Sequence, residues 1–471
     1  MWFRQDLRLH DNPALRAAVA DGQVLPIYIL DDESAGDWKM GAASRVWLHQ
    51  SLQQLNKSLG GKLRLFCGDA RDILPRLAKK TAAAAVHWNR CYEPWRIARD
   101  KLIKDTLQQA GIDVSSHNGS LLWEPWTVLK KDETPYKVFT PYFKKGCLGA
   151  PDPRLPLSRP SRMRYAQLGK LPGECSLAQL ELEPSIRWDT GIKKAWQVGE
   201  SAASKKLEAF IENGLQRYKI GRDFPASQCT SRLSPHLHFG EISPHQVWHR
   251  IKQEEAHFGS DDLVHFLSEI GWREFSYYLL YHWPTLPDKP FNPKYARFPW
   301  LKDARSLRKW QQGMTGFPII DAGMRELWQT GYMHNRVRMI VASFLVKNQL
   351  LDWRKGEAWF WDCLVDADLA SNSASWQWSA GCGADAAPYF RIFNPVLQSE
   401  KFDPDGEYIC QYCPELAGLE GKYLHQPWLA SEPMQREAGL ELGVDYPQPM
   451  LDLKETRQRA LQANSSLKEW A

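Results

Sequence analysis

The run Val24-Leu25-Pro26-Ile27-Tyr28-Ile29-Leu30 decides the fold class. It is short and apolar throughout, so it reads as a strand, and residues 45–59 behind it carry apolar side chains at helical spacing. The alternation then repeats. Residues 62–67 read as a strand, 70–78 as a helix, 83–88 as a strand, 97–110 as a helix and 112–117 as a strand. Short strands separated by helical patterns predict a parallel sheet with helices on both faces. Met1-Trp2-Phe3 leaves almost no residues for a first strand before the turn at Asp6, so the sequence as given is expected to begin inside that strand.

Further along, residues 146–188 are rich in Pro, Arg and Ser and lack periodicity, which reads as a linker wrapping the surface. From residue 201 onward the patterns are helical, as over 263–283, 310–330 and 333–348, with little strand signal. The expected organisation is an α/β domain over 1–130, a linker over 131–200 and a large all-α domain over 201–471.

Composition narrows the class. A chain of 471 residues suggests two domains, and its 43% hydrophobic content is ordinary for a globular protein. No stretch of about 18 apolar residues offers a membrane span, and the charged first ten residues lack the apolar core of a signal peptide. A cytoplasmic monomer without membrane contact is expected. Nine cysteines without framework spacing read as free thiols in a reducing compartment. Cys410 and Cys413 form a lone CxxC, and no metal is expected. The net charge of +5 permits a basic patch facing phosphate without requiring one. Twenty-two tryptophans mostly serve a core, yet Trp also stacks on bases and relays electrons; composition does not choose.

Five clusters carry chemistry. The first, Trp2 to Asn12, is a charged strand-to-turn passage without GxGxxG or a Walker lysine, and reads as a polar loop rather than a phosphate cradle. The second joins Tyr218 and Arg222 to Thr230-Ser231-Arg232-Leu233-Ser234. Hydroxyls, amides and a guanidinium ahead of a helix suit a pyrophosphate, and they suit simple capping equally well. In the third, Glu269 and Arg273 stand four apart on a helix with Trp272 beside them. A carboxylate next to Trp suits a flipped base, and a surface ion pair beside a core Trp is the plainer reading.

The fourth cluster contains Asn335, Arg336, Arg338 and Met339, where Asn335 and Met339 share one helical face. One arginine suits phosphate and the other an internal carboxylate, Asp366 or Asp368. The fifth runs from Asp366 and Asp368 through Asn372 to Trp376 and Trp378, and on to Arg391. Its small residues let a planar ring approach the backbone, and its two tryptophans face different ways, so here a functional reading is favoured.

Together and in this order, the clusters resemble the photolyase/cryptochrome family, most closely the bacterial photolyases of cyclobutane pyrimidine dimers over residues 218–394. The resemblance implies a Rossmann-like α/β antenna domain and a helical domain gripping a folded FAD. It makes Tyr218, Thr230, Ser231, Arg232, Leu233 and Ser234 contacts to the FAD phosphates and ribose. It places Trp272 in the cofactor and lesion pocket, Asp366 and Asp368 near the flavin and its ribityl chain, and Arg338 in a pair with Asp366. Asn372 matches the residue facing flavin N5, where plant cryptochromes tend to carry Asp and animal ones Cys.

Glu269, Asn335, Met339, Trp272 and Trp378 match the pocket for a dimer flipped out of UV-damaged DNA, and relatives acting on the 6-4 lesion carry His where Asn335 and Met339 stand. Arg222, Arg336 and Arg391 resemble contacts to the DNA backbone, so affinity should fall with salt. Trp376, Trp353 and Trp300 match the electron relay that photoreduces the flavin. The implied reaction is light-driven electron transfer from reduced FAD to the dimer and back. For the antenna, 5,10-methenyltetrahydrofolate near Pro94 and Trp95 is expected, with 8-hydroxy-5-deazaflavin as the alternative, although the Asn-Glu pair of folate-binding relatives is absent there. A cryptochrome-type light sensor and a photolyase preferring single strands are the rival readings.

Overall fold

The computed structural model describes residues 1–256 and 260–467. They form two compact units. The first takes Met1–Gln216, Ser231–Pro284 and Val365–Ala370, and the second takes Arg217–Thr230, Thr285–Leu364 and Ser371–Ala471. This division by packing interleaves along the chain, whereas a reading of the sequence yields contiguous blocks.

In the first unit the strands are β1 (Trp2–Phe3), β2 (Gln23–Val24), β3 (Ile27–Leu30), β4 (Arg64–Cys67), β5 (Ala85–Asn89), β6 (Asp113–His117), β7 (Arg164–Tyr165) and β8 (Glu174–Cys175). β3 pairs in parallel with β1 on one side and β4 on the other, in the register Trp2 to Ile27 and Ile27 to Arg64. β5 and β6 pair in parallel from Ala85 with Asp113 to Asn89 with His117. The helix Ala70–Lys80 shows why the layers close. Its buried residues Ala70, Ile73, Leu74, Leu77 and Ala78 recur at three and four, and Asp69 caps its first turn. That stripe packs with Trp2, Phe66 and Trp88 in one apolar cluster, and removing such side chains from water is the main favourable term in folding.

Three expectations are corrected. Residues 24–30 are two strands rather than one: Pro26 has no N–H for a ladder, and its carbonyl accepts from Arg64 N at 2.9 Å. The stretch 146–188 is not a free linker, since β7 pairs with β2 and β8 runs antiparallel to β4. Residues 310–330 are two helices, Ala304–Gln311 and Pro318–Thr330. Buried Asp321 accepts from Thr315 N and Thr315 Oγ1, both at 2.7 Å, and from Gly316 N at 2.9 Å, which satisfies the turn between them. The second unit is built of helices. Among the described residues no helix is long and apolar enough to cross a membrane, and no group of three His, Cys, Asp or Glu could hold a metal.

The Trp2–Asn12 passage is structural. Buried Arg8 donates to the carbonyls of Asp11, Gly119 and Gly240, and Asn12 caps the helix Pro13–Asp21.

Candidate functional site

Within the first unit, the 23-residue helix Ser260–His282 presents Glu269, Trp272, Arg273 and Tyr277. Trp272 lies against Phe139, ring centroids 3.9 Å apart and nearly parallel, so one indole face is already covered. Arg273 donates to Ser120 O at 2.9 Å and lies over the Tyr277 ring at 4.8 Å. Two acids gather partners in the same unit. Ser234 Oγ donates to Asp366 Oδ2 at 2.6 Å. The Tyr277 hydroxyl donates to Asp368, and the His238 ring stands 3.7 Å from that carboxylate. Burial alone would raise the Asp368 carboxyl, but His238, the Arg273 charge and the Tyr277 hydroxyl outweigh it and hold the group well below the usual carboxylate range. Arg232 has a left-handed backbone, φ 50°, a conformation that costs a non-glycine residue about 1 kcal/mol or more and that clusters at ligand clamps.

The helix Leu369–Ala380 carries Asn372, Trp376 and Trp378, all three in its part from Ser371 onward that belongs to the second unit. Asn372 is buried, and its amide nitrogen donates to Glu357 O at 3.0 Å. The Glu357 side chain in turn accepts from Ser373 Oγ at 2.5 Å. Burial pushes the Glu357 carboxyl up to about 8. The Glu357 backbone carbonyl thus fixes how Asn372 points, while its carboxyl holds the neighbouring Ser373. Trp376 is buried edge-on to Phe360 at 5.0 Å and Trp310 at 6.2 Å. Trp353 is buried, Trp300 is half-buried against Phe298, and Trp378 is half-buried.

The helix Asn335–Ser343 carries Asn335, Arg336, Arg338 and Met339. Its cap, His334, accepts from Arg336 N at 3.2 Å. Burial, with Arg336 and Arg338 nearby, lowers His334 to about 4, so the ring is neutral and able to accept. Asn335 is exposed and Met339 half-buried. Arg336 reaches Asp223 at 2.5 Å and lies over the Phe402 ring. Arg338 donates to Met333 O at 2.7 Å. Arg222 lies over the Tyr218 ring at 5.3 Å, and Arg391 is exposed.

These groups suit a flavin dinucleotide. The hydroxyls and amides of Ser231 to Ser234 match a pyrophosphate, while buried carboxylates match ribityl hydroxyls and ring N–H groups, which need acceptors.

Residues 1–160 match the family described as DNA photolyase, and residues 266–466 match the FAD binding domain of DNA photolyase. The chain is 49% identical to a deoxyribodipyrimidine photo-lyase of Agrobacterium fabrum, over 100% of this chain and 98% of that relative.

The chain belongs to the photolyase/cryptochrome family.

A cryptochrome-1 of Arabidopsis thaliana is 39% identical, over 99% of this chain and 70% of its own length. Among solved structures, a bacterial class III photolyase from Agrobacterium tumefaciens superposes with a TM-score of 0.95 at 49% identity, covering 99% of this chain and 97% of that one. An archaeal photolyase from Sulfolobus tokodaii, described with two FAD molecules, superposes with a TM-score of 0.80 at 29% identity over 99% of both chains. The family's division into an α/β N-terminal domain and a helical FAD-binding domain holds for this chain. Sequence reasoning missed Glu357, Ser373, Tyr277 and His238. Ser373 lies in the fifth cluster beside Asn372 without a signal of its own, the other three lie outside every cluster, and only folding brings Glu357 to Asn372 or Tyr277 to Asp368.

Proposed function

We propose that this chain is a DNA repair enzyme that restores pyrimidines from cyclobutane dimers under blue light, with FAD as its cofactor. The observation that carries the reading is the identity of 49%, over the full length, to an enzyme named for that reaction. Reduced FAD, when bound, supplies the light-driven electron that opens the cyclobutane ring.

The chain's own residues bind and orient. Tyr218 and the run Thr230, Ser231, Arg232, Leu233 and Ser234 would hold the pyrophosphate and ribose. Asp366, Asp368 and Arg338 would hold the ribityl and ring polar groups, and Asn372, its amide anchored on Glu357 O, would offer a fixed dipole to the flavin edge. Glu269 and Asn335 would receive the polar edges of an extruded dimer, with Met339, Trp272 and Trp378 packing its rings. Arg222, Arg336 and Arg391 would meet backbone phosphates. Asn and Met at 335 and 339, with Asn at 372, support dimer repair over 6-4 repair or light sensing. Trp376, Trp353 and Trp300 would carry electrons inward; Trp376 and Trp353 are both buried and Trp300 is half-buried, which supports Trp300 as the outer end.

For the antenna we propose methenyltetrahydrofolate ahead of a deazaflavin, with half-buried Trp95, whose ring Arg96 crosses at 4.7 Å while pairing with Glu93, as the aromatic beside it. The test of the function is illumination of dimer-containing DNA with flavin-loaded protein and a reductant. Dimers should disappear in light and persist in darkness.

A further inference from the structure

Asn335, Met339, Ser343 and Lys347 follow one another at four-residue steps. The first two are the proposed lesion contacts. The last two hold a different piece of the second unit, the irregular segment 383–393 that carries Arg391. Ser343 Oγ accepts from Phe393 N at 3.3 Å, and Lys347 Nζ donates to Arg391 O at 2.9 Å. The Lys347 ammonium also lies 5.3 Å from the ring centre of Tyr389, itself buried against Phe298 and Tyr295. Beyond these anchors the segment faces solvent: Phe390 is 67% exposed, and the exposed Arg391 guanidinium lies over Phe393 at 5.7 Å.

Lys347 is an unexpected residue for its place. It is 2% exposed, and among the described residues it has no carboxylate partner. A buried charge without a counter-ion is costly, and an apolar side chain of similar length would fill the space more cheaply. Burial, and next the Arg391 charge, lower its ammonium to about 8. The backbone around it is unusual too. Residues Phe344–Asn348 form a π-turn, with Gln349 N donating to Phe344 O at 2.9 Å. Such turns insert a residue into a helix and frequently mark functional sites. Here the wide turn brings Lys347 under the carbonyl of Arg391.

We propose that Ser343 and Lys347 are positioning residues that fix Arg391 and exposed Phe390 in register with Asn335 and Met339, so that one helical stripe ties the grip on the DNA backbone to the pocket for the lesion. This rests on the function proposed above. Losing the ammonium frees the Arg391 carbonyl and lets the segment 383–393 sample many poses, and ordering it again is then charged against DNA binding.

The test uses the flavin-loaded chain in darkness and measures the dissociation constant for a duplex with one thymine dimer, beside an undamaged duplex. Lys347→Met should weaken dimer binding roughly ten-fold, a change of about 1.4 kcal/mol, with the flavin spectrum unchanged and faster amide exchange over 383–393. In an Arg391→Ala background, Lys347→Met should cost clearly less than in the wild type, because one of the two side chains it positions is gone and only Phe390 is left to misplace. A purely structural lysine would weaken both backgrounds equally. Wild-type affinity in Lys347→Met, or full additivity with Arg391→Ala, overturns the inference. Should Lys347→Met lose its flavin, Ser343→Ala decides: a several-fold weaker affinity that shrinks in the Arg391→Ala background supports the proposal, and unchanged affinity or full additivity overturns it. A wild-type chain that does not prefer the dimer duplex overturns the function first, and this inference with it.

Discussion

Gly356 separates two effects of opposite sign. It lies inside the helix Trp353–Cys363, where replacing Gly with Ala ordinarily stabilises by about 1 kcal/mol. A Cβ at this position would stand 2.0, 2.4 and 2.6 Å from Cη2, Cζ3 and Cζ2 of Trp376. Those are atoms of a rigid indole, 2% exposed and wedged between Phe360 and Trp310, and Trp310 is pinned by its own bond to Val341 O at 3.1 Å. The indole cannot yield by the ångström or more required without moving those rings. Overpacking a filled core costs about 1–3 kcal/mol, and this overlap belongs at the upper end. Gly356→Ala should therefore be destabilised by about 1–2 kcal/mol after the gain in helix propensity. Urea unfolding followed by circular dichroism measures the shift, and Ala358→Gly, at an exposed position of the same helix, calibrates the propensity. Light-driven reduction of the flavin should slow in Gly356→Ala as well, since the displaced side chain is the proposed relay. A Gly356→Ala protein as stable as the wild type, or more so, would refute the claim that glycine is required for Trp376 to lie where it does.

Two further outcomes follow from the buried carboxyls and the lesion contact. Glu357 holds its proton up to about 8 when folded, against 4.5 for an ordinary glutamate. Between those values the folded state binds more protons than the unfolded chain, so Glu357 lowers stability as pH rises through that window; Glu357→Gln should flatten the slope of urea midpoint against pH, and an unchanged slope would contradict the neutral carboxyl. Glu269→Ala should cut the repair kcat/KM roughly ten- to hundred-fold, the worth of a hydrogen bond to a charged group, while flavin content stays as in the wild type; undiminished repair would remove Glu269 from the lesion pocket.

Much of this was legible in the sequence because the signals are local. The helix read over 45–59 is Ala42–Ser58, and the strand read over 112–117 is Asp113–His117, since each carries its own periodicity. Trp376 and Trp378 differ in burial as their spacing on a helix requires. What was not legible depends on groups brought from far along the chain. The break within 310–330 is stabilised by buried Asp321, which also accepts from the Tyr446 hydroxyl at 2.6 Å. Glu357 reads as an ordinary helix residue until its carbonyl meets Asn372 and its carboxyl Ser373. Lys347 reads as a solvent-facing lysine until the π-turn places it beneath Arg391. Pairings like these have no period and no motif.

Central to the whole account is repair of the cyclobutane lesion itself, and the most direct measurement follows single thymine dimers in a defined duplex by mass. With flavin-loaded protein and a reductant, blue light should return the two thymines, darkness should leave the dimer intact, and a duplex carrying the 6-4 lesion should remain unchanged in both. Dimers that survive illumination while the protein holds reduced flavin and binds the duplex would contradict the account.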